Sequence, residues 1–340
     1  MAKHVGKASV TLDSDIYIIG SASVAGTKEG EGPLGHKIDV VGEDDWFGGQ
    51  TWEEAESNLQ KKAAGLALVD AGLKNKDMDF ILAGDLLGQS IATTFGMENL
   101  DIPLLGVYGA CSTCGEALAL GSMLIDGGSA RQVLCVTSSH FASAEKEFRY
   151  PLEYGNQRPV SATWTVTGAG GFVLGNVRGK RAKAKLTGLT VGKVVDYGLK
   201  ESMNMGACMA PAAADTLCSH FNDMGTKPSD YDRIITGDLG LVGQKILLDL
   251  MKDKGYDIEN QHMDCGIEIF HNEEQGTGSG GSGCGCASVV LSSYILEEMM
   301  QGNWKKILFL PTGALLSKTS FQEGKSVPAI SHLLVLESIR

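Results

Sequence analysis

Two ten-residue stretches of this chain, 153 residues apart, are near copies of one another. Asp77-Met-Asp-Phe-Ile-Leu-Ala-Gly-Asp-Leu86 and Asp230-Tyr-Asp-Arg-Ile-Ile-Thr-Gly-Asp-Leu239 agree at six of ten positions. An amphipathic helix is expected before each, over Trp52–Ala71 and Pro211–Met224, and each ends a short apolar strand. A second correspondence follows in the same order. Gly109-Ala-Cys111 opens a helix of small and apolar residues through Ile125, and the strand Arg131–Thr137 comes next. Gly283-Cys-Gly285 likewise opens a helix over Ala287–Met300, followed by the strand Lys306–Leu310. Strand, turn, helix and strand repeated twice predict an α/β protein with helices on both faces of its sheets. The halves are expected to meet near residue 182, after the basic stretch Arg178-Gly-Lys-Arg181, giving an N-terminal half 1–182 and a C-terminal half 183–340.

Composition narrows the function classes. The net charge of −12 argues against a nucleic-acid or anionic-membrane binder, which would need a basic face. No run approaches the ~18 apolar residues of a membrane-spanning helix. Residues 1–7 show no apolar signal segment, so an intracellular location is expected. The 45 glycines are about twice the usual ~7% share, without the period of collagen or the tracts of a linker. They are expected where backbone turns sharply or meets a ligand closely. The eight cysteines read as reduced thiols in a chain of this length. Cys111 and Cys114, with Cys284 and Cys286 far away, each open an apolar helix, which argues against zinc and against a redox pair.

Cys111 lies where the strand Pro103–Tyr108 turns into a helix. A thiol at a helix N-terminus is expected to have a lowered pKa, as a nucleophile needs, and the small neighbours Gly109, Ala110, Ser112 and Gly115 admit a ligand. A small buried core cysteine is the plain alternative.

A strand, a Gly-Ala-Cys-Ser turn and an apolar helix in a duplicated α/β chain resemble the thiolase and ketoacyl-synthase superfamily. Within it the chain is similar to the stage V sporulation protein AD family of spore-forming bacteria. The resemblance is carried by Gly32-Pro-Leu-Gly-His36, Ala83-Gly-Asp-Leu-Leu87, Gly109-Ala-Cys-Ser-Thr113 and Ser138-Ser-His140. It continues through Phe148-Arg-Tyr-Pro151, Glu153-Tyr-Gly155, Thr165-Val-Thr-Gly168 and Met209-Ala-Pro-Ala-Ala-Ala-Asp-Thr216. Thr236-Gly-Asp-Leu239, Gly280-Gly-Ser-Gly-Cys284 and Thr312-Gly-Ala-Leu-Leu-Ser317 complete it. The resemblance implies a thiolase-like fold, two duplicated α/β halves in five αβαβα layers with a pocket between them. It also implies binding of dipicolinic acid (pyridine-2,6-dicarboxylate), free or as its calcium chelate, for uptake into the developing spore. Membrane proteins of the same uptake system would be the partners, on the cytoplasmic side and peripheral to the spore inner membrane. A homodimer across the first-half sheet edge belongs to the same expectations; a nucleic acid, a cofactor or a bound structural metal does not.

Condensing enzymes of that superfamily add His/His or His/Asn from the second half to the cysteine, polarising the thioester and stabilising an enolate. Here the strand Arg233–Thr236 is followed by Gly237-Asp-Leu-Gly240, and the glycine-rich turn is Gly280-Gly-Ser-Gly-Cys-Gly-Cys286; neither holds a histidine or asparagine. Asp238 would repel an enolate. The expected reading is therefore a binding protein without condensing activity. The alternatives are an acyltransferase using Cys111 as nucleophile with His140 as base, and an adaptor with a vestigial pocket.

A flat dicarboxylate needs donors at both ends of a slot. Expected anion sites are the backbone N–H groups at Gly109-Ala110-Cys111 and at Gly281-Ser282-Gly283, one from each half. Arg149 is the first cationic candidate and Arg158 the second, because Arg pairs bidentately with carboxylate; a salt bridge elsewhere is the alternative. His140 is expected either to donate to the ligand or to bond backbone. Asp85 and Asp238 are repeat partners at strand C-termini, with capping of the next turn as their plain role. Thr163, Thr165 and Thr167 alternate as one face of a strand, while His36 and Asp39 match the family without a physical assignment.

Overall fold

A computed structural model describes residues 3–148 and 157–340. The ten main strands are β1 (Ser9–Ala25), β2 (Phe80–Gly84), β3 (Leu104–Gly106), β4 (Gln132–Ser139), β6 (Gly168–Gly175), β7 (Ala184–Thr190), β8 (Arg233–Thr236), β9 (His262–Asp264), β11 (Lys306–Leu310) and β12 (Leu333–Glu337). Between them lie the two-residue strands β5 (Trp164–Thr165) and β10 (Gly281–Ser282), which pair with each other in parallel. The hydrogen-bonded order is β9-β8-β11-β12-β7-β1-β6-β4-β2-β3. Read outward from the β7·β1 seam, both arms have the same topology. An antiparallel neighbour comes first, then an antiparallel step to the next strand, then two parallel strands. The duplication seen in the residues is thus a duplication of strand order and direction.

The long strand β1 belongs to both arms. A register break between Thr11 and Ile16 lets it pair with β7, while Tyr17–Ala25 pair with β6. Strand β6 ends at Gly175 and β7 begins at Ala184.

Helix α1 (Trp52–Ala71) covers the outer face of the first arm together with α2 (Ile91–Met97). Its limits are local chemistry: the Thr51 hydroxyl accepts from Glu54 N–H, and Gly72 ends the helix at φ 72°, a left-handed conformation that glycine adopts without strain. Helices α3 (Thr113–Asp126) and α7 (Cys284–Val290) touch each other and lie between the arms, each against strands of the first arm and α3 also against β12. Helix α4 (Phe141–Phe148) follows β4. On the far face of the second arm lie α5 (Met205–Met224) and α6 (Gly240–Asp253). The layers run α, β, α, β, α.

Two elements differ from expectation. Helix α5 starts six residues before Pro211, because the Asn204 side chain accepts from Ala207 N–H and caps it upstream, leaving the proline inside the helix. The helix expected over Ala287–Met300 starts at Cys284, passes through a π-helical turn at Leu291–Ile295 and resumes over Leu296–Gln301. The fully buried Phe172, Leu174, Leu118, Leu186 and Phe309 belong to one core that spans both arms. All eight cysteines are free. Among the described residues no helix is long and apolar enough to cross a membrane.

Candidate functional site

The cysteine turn is strained. Ala110 sits at φ 50°, in a region few non-glycine residues occupy. Thr113 holds it there: its hydroxyl accepts from Gly109 N–H at 3.0 Å and donates to the Ala110 carbonyl at 2.6 Å. The Ser112 hydroxyl donates to the Gly109 carbonyl at 2.6 Å. The turn thereby presents Cys111 to a cavity of about 470 Å³, mouth included, between the two halves. Its walls are Leu86, Tyr108, Ala110, Cys111, Ala144, Glu145, Phe148 and Thr165 from the first half. Met205, Ser282, Ala314 and Leu316 come from the second. Leu86, Tyr108, Phe148 and Leu316 continue into a wider depression of about 840 Å³ that also holds Gln89, Glu147 and Lys318.

Of the residues expected at the site, Ala110, Cys111, Thr165 and Ser282 meet around this cavity. Ser112, His140, Asp238 and Gly283 are not among its lining residues. Ser112 is fully buried with its hydroxyl turned to its own turn. His140 is buried; its Nε2 lies 2.7 Å from the Asp45 carbonyl and its Nδ1 accepts from Ala142 N–H. That bonding makes Nε2 the protonated nitrogen of a neutral ring, and burial lowers its pKa. His140 is therefore a core histidine bonded to backbone, and none of the seven histidines lines the cavity. Arg149, with the rest of Phe148-Arg-Tyr-Pro151 beyond Phe148, lies outside the described residues. Of the alternating threonines only Thr165 reaches the cavity; Thr163 gives its carbonyl to Arg158 and the Thr167 hydroxyl accepts from Phe141 N–H.

Two of the N–H groups expected as anion sites, those of Gly109 and Gly283, are engaged within the fold. Gly283 N–H donates to Asp238 Oδ2 at 2.9 Å, Gly285 N–H to Ser139 Oγ at 3.1 Å and Gly109 N–H to Thr113 Oγ1. These donors serve the fold itself. Gly283 has φ 101°, and a Cβ there would come within 2.5 Å of Ser139 Oγ, so the turn excludes any larger residue.

Asp85 and Asp238, equivalent in the repeat, do different work. Asp85 caps its turn, accepting from Leu87 N–H and from the Thr93 amide and hydroxyl. In the second half that duty passes to Asp264, which accepts from Leu239 and Gly240 N–H and from Thr236. Asp238 is thereby released. It accepts from Thr312 Oγ1 at 2.8 Å and from Gly283 N–H at 2.9 Å, and its charge acts on the Cys111 thiol. It stands behind Cys111 and is not among the residues lining the cavity.

The consequence for Cys111 is opposite to the expectation from the helix end. Burial, then the Asp238 carboxylate, push its pKa well above the ordinary thiol value. Burial raises Asp238 to about 7. The helix dipole loses because its effect is a fraction of a charge at the turn, whereas burial acts on the whole charge of a thiolate and the neighbouring Asp238 carboxyl adds to it. The result is a protonated thiol.

Sequence reasoning missed the α4 wall: Ala144, Glu145 and Phe148 face the cavity together. The spacing of Ala144 and Phe148 at i and i+4 was the available signal. Glu145 Oε1 accepts from Arg158 at 2.6 Å, an almost buried ion pair just behind the wall. Among the described residues no cluster of His, Cys, Asp and Glu is arranged to hold a metal ion.

Residues 6–337 match the family model for stage V sporulation protein AD. The chain belongs to that family. Over 339 residues it is 42% identical to stage V sporulation protein AD of Bacillus subtilis (strain 168), covering 98% of each chain. The solved structures it resembles are far more distant in sequence. The 3-oxoacyl-[acyl-carrier-protein] synthase III of Aquifex aeolicus VF5 matches with TM-score 0.57 and 14% identity over 95% of this chain and 99% of that one. Cerulenin-bound OleA of Xanthomonas campestris matches with TM-score 0.59 and 16% identity over 96% and 97%. Human mitochondrial 3-ketoacyl-CoA thiolase in complex with CoA matches with TM-score 0.60 and 12% identity over 96% and 99%. These likenesses establish that this member of the stage V sporulation protein AD family has a thiolase-like fold. The family is thus one in which that fold serves sporulation.

Proposed function

We propose that this protein binds dipicolinic acid in the cavity between its halves and serves its uptake into the developing spore, without condensing activity. The observation that carries the reading is the make-up of the cavity wall: Cys111 stands there almost buried, with burial and the Asp238 carboxyl raising its pKa, and no histidine beside it. No histidine lines the cavity, so the histidine that a condensing enzyme places beside its cysteine is missing from this wall.

The cavity suits a small flat ligand. Leu86, Phe148 and Met205 offer apolar surface to a ring. The Thr165 and Ser282 hydroxyls, one from each half, offer donors. Arriving as its calcium chelate, the ligand would carry no net charge into a wall that holds Glu145. The protein is proposed to act peripherally on the cytoplasmic side, beside the membrane proteins of the uptake system, as a homodimer paired through β3.

Calorimetric titration of dipicolinate, with and without calcium, is expected to show saturable binding; folded protein that gives no signal would reject the reading. Incubation with acyl-CoA followed by intact-mass measurement is expected to leave Cys111 unmodified. A stable acyl adduct would favour an acyltransferase instead.

A further inference from the structure

The cavity wall contains a carboxylate that a dianionic ligand should avoid. Glu145 lines the cavity, and its charge is held by Arg158, whose side chain is 12% exposed against 6% for Glu145. The pair is almost wholly withdrawn from water. An arriving carboxylate is a chemically equivalent partner.

Arg158 is fixed independently of Glu145. Its Nη1 donates to the Thr163 carbonyl at 3.1 Å, two residues before the cavity residue Thr165. Its guanidinium also lies over two aromatic faces, 5.2 Å from Phe141 and 5.1 Å from Trp164. Those rings stack on each other at 3.9 Å. The aromatic faces and the carbonyl hold the cation in place, and the planar fork is suited to exchanging one carboxylate for another without moving. Glu145, by contrast, belongs to the short helix α4 and reaches Arg158 only through its own flexible side chain.

We propose that Arg158 is the carboxylate receptor of this cavity and that Glu145 is an internal stand-in, occupying the receptor until a ligand carboxylate displaces it. The inference rests on the dipicolinate reading for the identity of the ligand, but the receptor itself is defined by this pair. Arg158 then sets the specificity for an acidic ligand, and Glu145 weakens binding by competing for it.

The test is titration of dipicolinate into the wild-type chain and into Glu145→Gln, with melting curves to verify folding. Removing the competing charge is expected to tighten binding at least about ten-fold, whereas Arg158→Gln combined with Glu145→Gln is expected to weaken it at least about ten-fold below wild type. Should Glu145→Gln not fold, Glu145→Asp keeps the charge but shortens the reach, and is likewise expected to bind more tightly. Unchanged or weaker binding in the folded Glu145 variant, with wild type binding normally, overturns the inference. Benzoate supplies an arm independent of dipicolinate. If wild type ignores dipicolinate while the Glu145 variant takes up benzoate saturably, the ligand is wrong and the receptor stands. If the folded variant takes up neither, the receptor is wrong.

Discussion

The carboxyl of Asp238, from the second half of the chain, stands close enough to the thiol of Cys111, from the first, to raise its pKa. The contact joins two strand-to-helix corners that are 127 residues apart, and it fixes the chemistry of the cavity floor. A cysteine on a strained turn would ordinarily be read as reactive; here burial, and then the carboxyl supplied by the opposite half, keep it a thiol.

Cys111 is expected to alkylate slowly. Each unit of pKa elevation lowers the thiolate fraction about ten-fold, so iodoacetamide at pH 8 should modify Cys111 at least ten-fold more slowly than an unhindered thiol. Asp238→Asn removes the neighbouring carboxylate and is expected to speed the reaction. Peptide-resolved mass spectrometry reads both; a fast wild-type Cys111 would contradict the pairing.

Stability is expected to fall as pH rises. Burial lifts Glu29 from its ordinary 4.5 to about 8 and Asp238 from 3.8 to about 7. Because the folded state binds these protons more tightly than the unfolded chain, their contribution is complete below about pH 4 and is lost as pH climbs through 7 to 8. Scanning calorimetry between pH 5 and pH 9 should show a declining Tm, with a shallower decline in Glu29→Gln. A Tm that rises across this range would refute the protonated carboxyls.

His140 is expected to matter for stability and not for ligand. Its ring is engaged by the Asp45 carbonyl and the Ala142 amide, so His140→Ala should cost about 1–3 kcal/mol by leaving buried polar groups unpaired. Dipicolinate affinity of the folded variant should stay within about two-fold of wild type. A selective loss of affinity would return His140 to the binding site.

The open edge of the first arm is β3, where Leu104 and Leu105 are 41% and 47% exposed. An unpaired apolar edge invites strand addition, and a second copy pairing antiparallel would cover it. Light scattering is expected to report a dimer, and Leu105→Glu a shift toward monomer. A wild-type monomer at high concentration would exclude this pairing.

Much of the architecture was legible in the residues because it depends on neighbours in sequence. Helix Trp52–Ala71 and strands Lys306–Leu310 and Arg233–Thr236 lie where caps and apolar runs placed them. The repeat predicted two equivalent arms, and the strand orders agree. Pro211 misled about a helix start because a capping asparagine seven residues upstream outweighed it.

The site was legible only in part. Cys111, Ala110 and Ser282 were found because small residues at strand-to-helix corners mark a place where something approaches, and Thr165 because it alternates with Thr163 and Thr167 along one face of a strand. The partners of those residues were not. Whether Asp238 caps its own turn or reaches Cys111 depends on Asp264 having taken the capping role, and Asp264 comes from another strand. Whether His140 faces a ligand or the Asp45 carbonyl depends on a loop 95 residues away.

By itself, then, the sequence determined the duplicated α/β halves, the family and the corners where a pocket forms, since periodicity, caps and glycine turns act over a few residues. Only the tertiary structure decided the charge state of the thiol and the pairing of Glu145 with Arg158. Proton affinities and ion pairs are set by burial and by which distant groups converge, and neither is written in local order.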